Sequence, residues 1–85
     1  MEELYRTIEE RIRANGYPGV VDGEEIYNEL CDQIEDKEPG SYLFLSKKED
    51  GVFYEYKVDV MEEAFNLACL DIHTPSKVFH IDFDA

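Results

Sequence analysis

The sequence predicts an α+β domain in which two N-terminal helices precede a four-stranded antiparallel β-meander, in the order ααββββ. Apolar residues recur every three to four positions as far as Ile34, and they alternate with polar residues from Tyr42 onward. Turn-forming residues such as Glu38-Pro39-Gly40-Ser41 separate these periodic segments. We expect the two helices to pack on one face of the sheet, in a single small acidic domain of residues 1–85.

The first helix is predicted over residues 2–15. Leu4, Ile8 and Ile12 recur at every fourth position, and Asn15-Gly16 is typical of a helix C-terminus. Glu2 and Glu9 are each followed by arginine four residues later, which indicates a mixed and solvated outer face.

The second helix is predicted to begin near Gly23. Asp22 is followed three residues later by Glu25, which is the spacing of a capping box. The apolar side of the helix is formed by Ile26, Tyr27, Leu30, Cys31 and Ile34. Carboxylates occupy the opposite side, with no basic residue before Lys37. Glu25, Glu29, Asp32 and Asp36 lie on that side, and together with Glu35 they are the predicted partner-binding residues, which we call the acidic stripe.

The remainder of the chain is predicted to form strands joined by short turns. Glu49-Asp50-Gly51 is typical of a hairpin, and Thr74-Pro75-Ser76-Lys77 predicts another tight connection. The four predicted strands are Tyr42–Lys47, Val52–Val60, Phe65–His73 and Val78–Phe83.

Alternation predicts which side chains share a sheet face, because successive residues of a strand point to opposite faces. The predicted core face consists of Leu43, Leu45, Tyr54, Tyr56, Val58, Val60, Ala68, Leu70, Ile72, Phe79, Ile81 and Phe83. The other face is predicted to expose an aromatic patch, defined as Phe44, Phe53, Phe65 and Leu67. An exposed apolar patch of this kind is typical of an interface.

Charge limits the choice of partner. The chain has 21 Asp and Glu against 8 Lys and Arg, which gives a formal net charge of −13, and its 44% hydrophobic residues are sufficient for folding. Such a charge opposes direct binding to nucleic acid or to an anionic membrane, since both require positive charge. We therefore expect the partner to be a basic protein, in particular one that itself binds nucleic acid.

Location is predicted from what the sequence lacks. There is no basic segment followed by an apolar leader and no run of about 18 apolar residues, which favours a cytoplasmic protein without a membrane span. Cys31 and Cys69 lie within apolar patterns and are predicted to be buried, reduced thiols.

Motifs for catalysis or cofactor binding are absent from the sequence, so no enzyme activity and no cofactor are predicted. One group of residues near the C-terminus bears on metal binding: Asp71 is predicted to lie opposite His80 and Cys69 opposite Asp82, with His73 one step along. Asp71, His73 and His80 have the donor types of a two-histidine, one-carboxylate metal site. An ordinary cross-strand ion pair of Asp71 with His80 explains the same residues.

Three functions remain open. Carboxylates stepped along an exposed helix imitate part of the phosphate array of DNA, so the acidic stripe would occupy the nucleic-acid-binding surface of a basic partner. In size, acidity and lack of catalytic motifs, the chain resembles the small anti-CRISPR and anti-restriction inhibitors of phages and mobile elements, which implies a DNA-mimic inhibitor. The second function is a small adaptor or homodimer that binds through the aromatic patch. The third is the metal site at Asp71, His73 and His80.

Overall fold

The computed structural model describes residues 2–83 and confirms the predicted α+β class and element order. The elements are α1 (Glu2–Ala14), α2 (Gly23–Ile34), β1 (Gly40–Glu49), β2 (Val52–Val60), β3 (Phe65–His73) and β4 (Val78–Asp82). The strands form one antiparallel sheet in the order β1-β2-β3-β4. Among the described residues, no helix is long and apolar enough to cross a membrane.

The chain divides into a helical unit that ends at Asp36 and a sheet unit that begins at Lys37. The single domain and the packing of the helices on the sheet stay predictions. Both cysteines are half-buried and neither forms a disulfide, so the thiol state agrees with the prediction while the depth of burial is smaller.

In the helical unit, α1 closely approaches the first residue of α2. A Cβ atom added to Gly23 would lie 2.2 Å from the backbone oxygen of Tyr5, so glycine is the residue that fits there. Tyr5 also contacts the ring of Tyr27 edge to face, with the ring centroids 5.7 Å apart. The buried apolar residues of the two helices are Ile8, Ile12, Ile26 and Leu30.

Carboxylates cap the start of α2 and explain why it begins at Gly23, as predicted. Asp22 has an extended backbone, and its Oδ1 accepts hydrogen bonds from the amides of Glu24 at 3.0 Å and Glu25 at 3.3 Å. Glu9 Oε2 accepts from the Gly23 amide at 2.8 Å. The amides of the first three helical residues, which have no partner within the helix, are therefore bonded to negative groups.

Strand β1 presents its side chains in the phase opposite to the predicted one. A bulge at Lys48 adds one residue to the hairpin, so that Phe44 rather than Leu45 pairs with Tyr56. Phe44 is 9% exposed, whereas Leu43 and Leu45 are 64% and 65% exposed. The prediction that Leu43 and Leu45 join the core is wrong, because one extra residue reverses every side chain of the strand.

A second bulge changes the first half of β3. At Ala68 the pairing shifts, so that Leu67 lies opposite Val58 and Phe65 lies opposite Val60. Cross-strand partners point to the same face, so Phe65 and Leu67 share the face of the buried Val58 and Val60. Their predicted place on the exposed face is wrong, since alternation in the sequence does not reveal a bulge.

The two faces of the sheet differ clearly in burial. The buried face is defined by residues that are at most 9% exposed: Phe44, Tyr54, Tyr56, Val58, Val60, Ala68, Leu70, Ile72 and Ile81. The exposed face is defined by Leu43, Leu45, Phe53, Glu55, Lys57, Cys69, Asp71, His73, His80 and Asp82. Of the other predicted core residues, those from Tyr54 to Ile72 and Ile81 are confirmed as buried, whereas Phe79 and Phe83 are half-buried.

Candidate functional site

The acidic stripe extends past the end of α2. Glu25, Glu29 and Asp32 lie on the helix, whereas Glu35 and Asp36 lie in the turn that follows it. Glu29 is half-buried, and the other four residues are exposed. The stripe therefore has a rigid helical part of three carboxylates and a non-helical extension of two.

An open depression of about 460 Å³ runs along the helical part of the stripe. Its lining residues are Asp22, Glu24, Glu25, Asn28, Glu29 and Asp32. Five of these six side chains are carboxylates, the sixth is an amide, and none is basic. The arginine or lysine side chain of another protein is complementary to this lining, because both carry a positive charge and several hydrogen-bond donors.

Half of this lining was missed by the sequence analysis. Asp22 was predicted only as a helix cap, and Glu24 and Asn28 were not assigned to any site. The spacing contained the signal, since Glu24 and Asn28 lie four residues apart and Asp32 follows four residues later. Glu24 and Asn28 lie beside the helical part of the stripe, and together with Asp22 they complete the lining of the depression.

The helix dipole affects the carboxylates at the two ends of α2 in opposite ways. Glu24 and Glu25 lie in the first turn, where the helix dipole stabilises negative charge. The last turn holds no basic residue, and Asp32 lies close to the helix C-terminus, where negative charge costs about 0.3–1 kcal/mol at low ionic strength. A cationic partner would relieve this unfavourable charge.

On the apolar side of α2, the pKa of the Tyr27 phenol is shifted. Burial raises the pKa of the Tyr27 phenol above its ordinary value of 10.0, and the neighbouring Cys31 and Tyr5 raise it further. Tyr27 therefore stays neutral well above physiological pH, and this side of α2 adds no charge near the stripe.

The exposed sheet face carries the predicted histidine and carboxylate pairs. Asp71 lies opposite His80 and Cys69 lies opposite Asp82, which confirms both predicted pairings. His80 Nδ1 contacts Asp71 Oδ1 directly. His73 belongs to a different contact, because its Nε2 lies 3.1 Å from an oxygen of Glu55 on β2.

Metal ligands are grouped differently from the prediction. Within the described residues, two sets place one ligand atom per residue within 4.8 Å of the others, and neither set combines Asp71, His73 and His80. One set contains Glu55, Asp71 and His73, and the other contains Cys69, His80 and Asp82. The prediction missed Glu55, which the sheet brings opposite Asp71, and it treated Cys69 and Asp82 only as a cross-strand pair.

The predicted aromatic patch is not assembled. Phe44 is on the buried face, and Phe65 and Leu67 share the side of buried valines, so Phe53 is the member left on the exposed face. The Phe53 ring stacks on His73 with the ring centroids 4.4 Å apart. Leu43 and Leu45 supply the apolar surface of this face instead.

Comparison of the chain with protein-family models, with curated proteins and with solved structures finds no match. A function is therefore proposed from the arrangement of this protein's own side chains.

Proposed function

We propose that the protein is a non-catalytic acidic binding protein, and that its α2 carboxylates occupy the nucleic-acid-binding surface of a basic partner protein. This is the mode of action of DNA-mimic inhibitors of the anti-CRISPR kind. The observation that carries the proposal is the depression along α2, whose lining consists of five carboxylates and one amide. A basic side chain placed in the depression would be attracted by the carboxylates and repelled by no lining residue.

The density of charge along α2 supports mimicry of a nucleic acid strand. From Asp22 to Asp32 the chain advances ten residues, or about 15 Å at 1.5 Å per residue. One strand of duplex DNA carries a phosphate about every 3.4 Å, so a length of about 15 Å contains four to five phosphates. The five carboxylates of the depression match that number.

The test is a tagged pull-down from lysate of the cells in which the protein occurs, at about 50 mM and about 500 mM salt. We expect a basic nucleic-acid-binding protein to be captured at low salt, lost at high salt and displaced by added duplex DNA. The double variant Glu29→Lys with Asp32→Lys should abolish capture, because it replaces two carboxylates of the depression with positive charge.

The matched control is Glu35→Lys with Asp36→Lys, which changes the net charge by the same amount outside the depression. It should weaken capture much less. Circular dichroism should show that both double variants fold, since lysine is well tolerated on a helix surface and Glu35 and Asp36 are exposed in the turn after α2. Capture that survives Glu29→Lys with Asp32→Lys, or that is equally reduced by the control, would reject the depression as the contact site.

The location proposed with this function is the cytoplasm. Cys31 and Cys69 are both thiols, which is compatible with a reducing compartment.

The exposed sheet face supports a second candidate, an adaptor or homodimer that binds through apolar side chains. Leu43 and Leu45 are more than 60% exposed, and Phe53 lies on the same face. Binding there would persist at high salt, because it depends on burial of apolar surface. In the same pull-down, Leu43→Ser with Leu45→Ser would abolish capture under this alternative and leave capture by the α2 carboxylates unchanged.

A further inference from the structure

Three ligands of the type that zinc prefers meet on strands β3 and β4. Cys69 lies opposite Asp82, and His80 precedes Asp82 by two residues on the same exposed face. One ligand atom of each residue lies within 4.8 Å of the other two. Ligand atoms in a tetrahedral zinc site are roughly 3.3–3.8 Å apart, given metal–ligand distances of about 2.0–2.3 Å. Small side-chain adjustments are therefore sufficient to close the site around an ion.

The chemistry of the three donors selects the class of metal. A thiolate, an imidazole and a carboxylate are all common zinc ligands, and three protein ligands leave the fourth position for water. Calcium and magnesium are bound by oxygen ligands, so a thiol and an imidazole do not suit them. Zn²⁺, or a transition metal of similar preference, is the cation that fits.

A second observation, separate from the ligand set, is the contact between the His80 ring and Asp71. His80 Nδ1 contacts Asp71 Oδ1, so a metal at this site would be bound by the other ring nitrogen, Nε2. Metal-binding histidines almost always donate their second N–H to a carboxylate or another acceptor, which orients the ring. The His80 side chain is 59% exposed, and an ion pair at such a site contributes little to stability. Stability alone is therefore a weak reason for the contact.

We propose that Cys69, His80 and Asp82 bind Zn²⁺, and that Asp71 orients His80 as a positioning residue. Binding converts the Cys69 thiol to a thiolate and releases its proton to solvent. The other ligand set is the weaker candidate for zinc, since it contains no thiol and its His73 ring stacks on Phe53. The inference is independent of the function proposed for α2.

The experiment titrates the full chain, under reducing conditions, with Zn²⁺ by calorimetry and with Co²⁺ by absorption spectroscopy. We expect one Zn²⁺ per chain and a thiolate-to-cobalt charge-transfer band in the near ultraviolet. Cys69→Ser should remove that band, and Asp82→Asn should weaken Zn²⁺ binding. Asp71→Asn should weaken Zn²⁺ binding about 10–100-fold while the band persists at saturating Co²⁺, because Asp71 does not touch the metal.

Two control variants distinguish this site from the second thiol of the chain and from the second ligand set. Cys31→Ser removes that thiol and Glu55→Gln disables that ligand set, and both variants should bind Zn²⁺ like the unaltered chain. The proposal is overturned if the unaltered protein shows no charge-transfer band, or if the band disappears in Cys31→Ser. It is equally overturned if Zn²⁺ affinity is unchanged in Cys69→Ser, since the ions would then be held by surface carboxylates. If a variant fails to fold, absence of the band from the unaltered protein still overturns the proposal.

Discussion

Gly23 is the residue of the helical unit whose enlargement should be most damaging. A methyl group at this position would lie 2.2 Å from the backbone oxygen of Tyr5 and 2.8 Å from its carbonyl carbon and Cα. Because unstrained contacts between such atoms are about 3.5 Å, Gly23→Ala requires α1 and α2 to separate by roughly 1 Å. The atoms in the way belong to the backbone, so no change of rotamer relieves the overlap.

The expected loss of stability follows from three contributions. Overpacking of this kind costs about 1–3 kcal/mol. Separation of the helices also weakens the hydrogen bond from the Gly23 amide to Glu9, which is 2.8 Å long, and bonds to charged groups contribute about 1.5–3 kcal/mol. The higher helix propensity of alanine offsets at most about 1 kcal/mol of this destabilisation. We expect Gly23→Ala to lower the free energy of unfolding by about 2–5 kcal/mol, a large part of the stability of a small domain.

Urea unfolding followed by far-ultraviolet circular dichroism measures this loss. Gly19→Ala is the matched control, because a Cβ there meets the distal atoms of the Tyr17 ring, at 2.5–2.7 Å, and a side chain is able to move. The control should lose less than about 1 kcal/mol. The reasoning is refuted if Gly23→Ala unfolds at the same urea concentration as the control, or is stabilised as helix propensity alone would predict.

Two further predictions concern α2. Asp22→Ala removes the acceptor of two amide hydrogen bonds and should cost about 1 kcal/mol in urea unfolding, while Asp22→Asn, which keeps an acceptor, should cost less; equal losses would contradict the capping role. Because the pKa of Tyr27 is raised in the folded protein, its neutral phenol contributes stability that is present below pH 10.0 and is lost as the pH rises through the folded pKa. A difference titration of tyrosinate absorbance against Tyr27→Phe should therefore place the ionisation of Tyr27 above pH 10.0, and ionisation at or below that pH would contradict the shift.

Local signals in the sequence were sufficient to predict the helices and strands and the two cross-strand pairs on β3 and β4. Helix α2 begins at Gly23 because Asp22 caps it, and both residues are neighbours in the chain. The four-residue connection between β3 and β4 sets the register of that hairpin, which is why Asp71 was correctly expected opposite His80. Signals of this kind act over a few residues, so a single sequence contains them.

The grouping of the metal ligands was decided by tertiary structure. Glu55 reaches His73 because β2 and β3 are paired, and the two residues are far apart in the chain.

Which side chains lie on each face of the sheet was also not predictable from the sequence pattern. Apolar and polar residues alternate along a strand with a period of two, and this pattern does not show where a bulge inserts a residue, as at Lys48 and Ala68. Each bulge reverses the side chains of the strand segment that it displaces, which buries Phe44 and exposes Leu43 and Leu45. The pattern of residues was enough to predict which segments are strands and in what order they pair. The pairing of whole strands decided which side chains face solvent, because that outcome depends on where the ladder of hydrogen bonds slips by one residue.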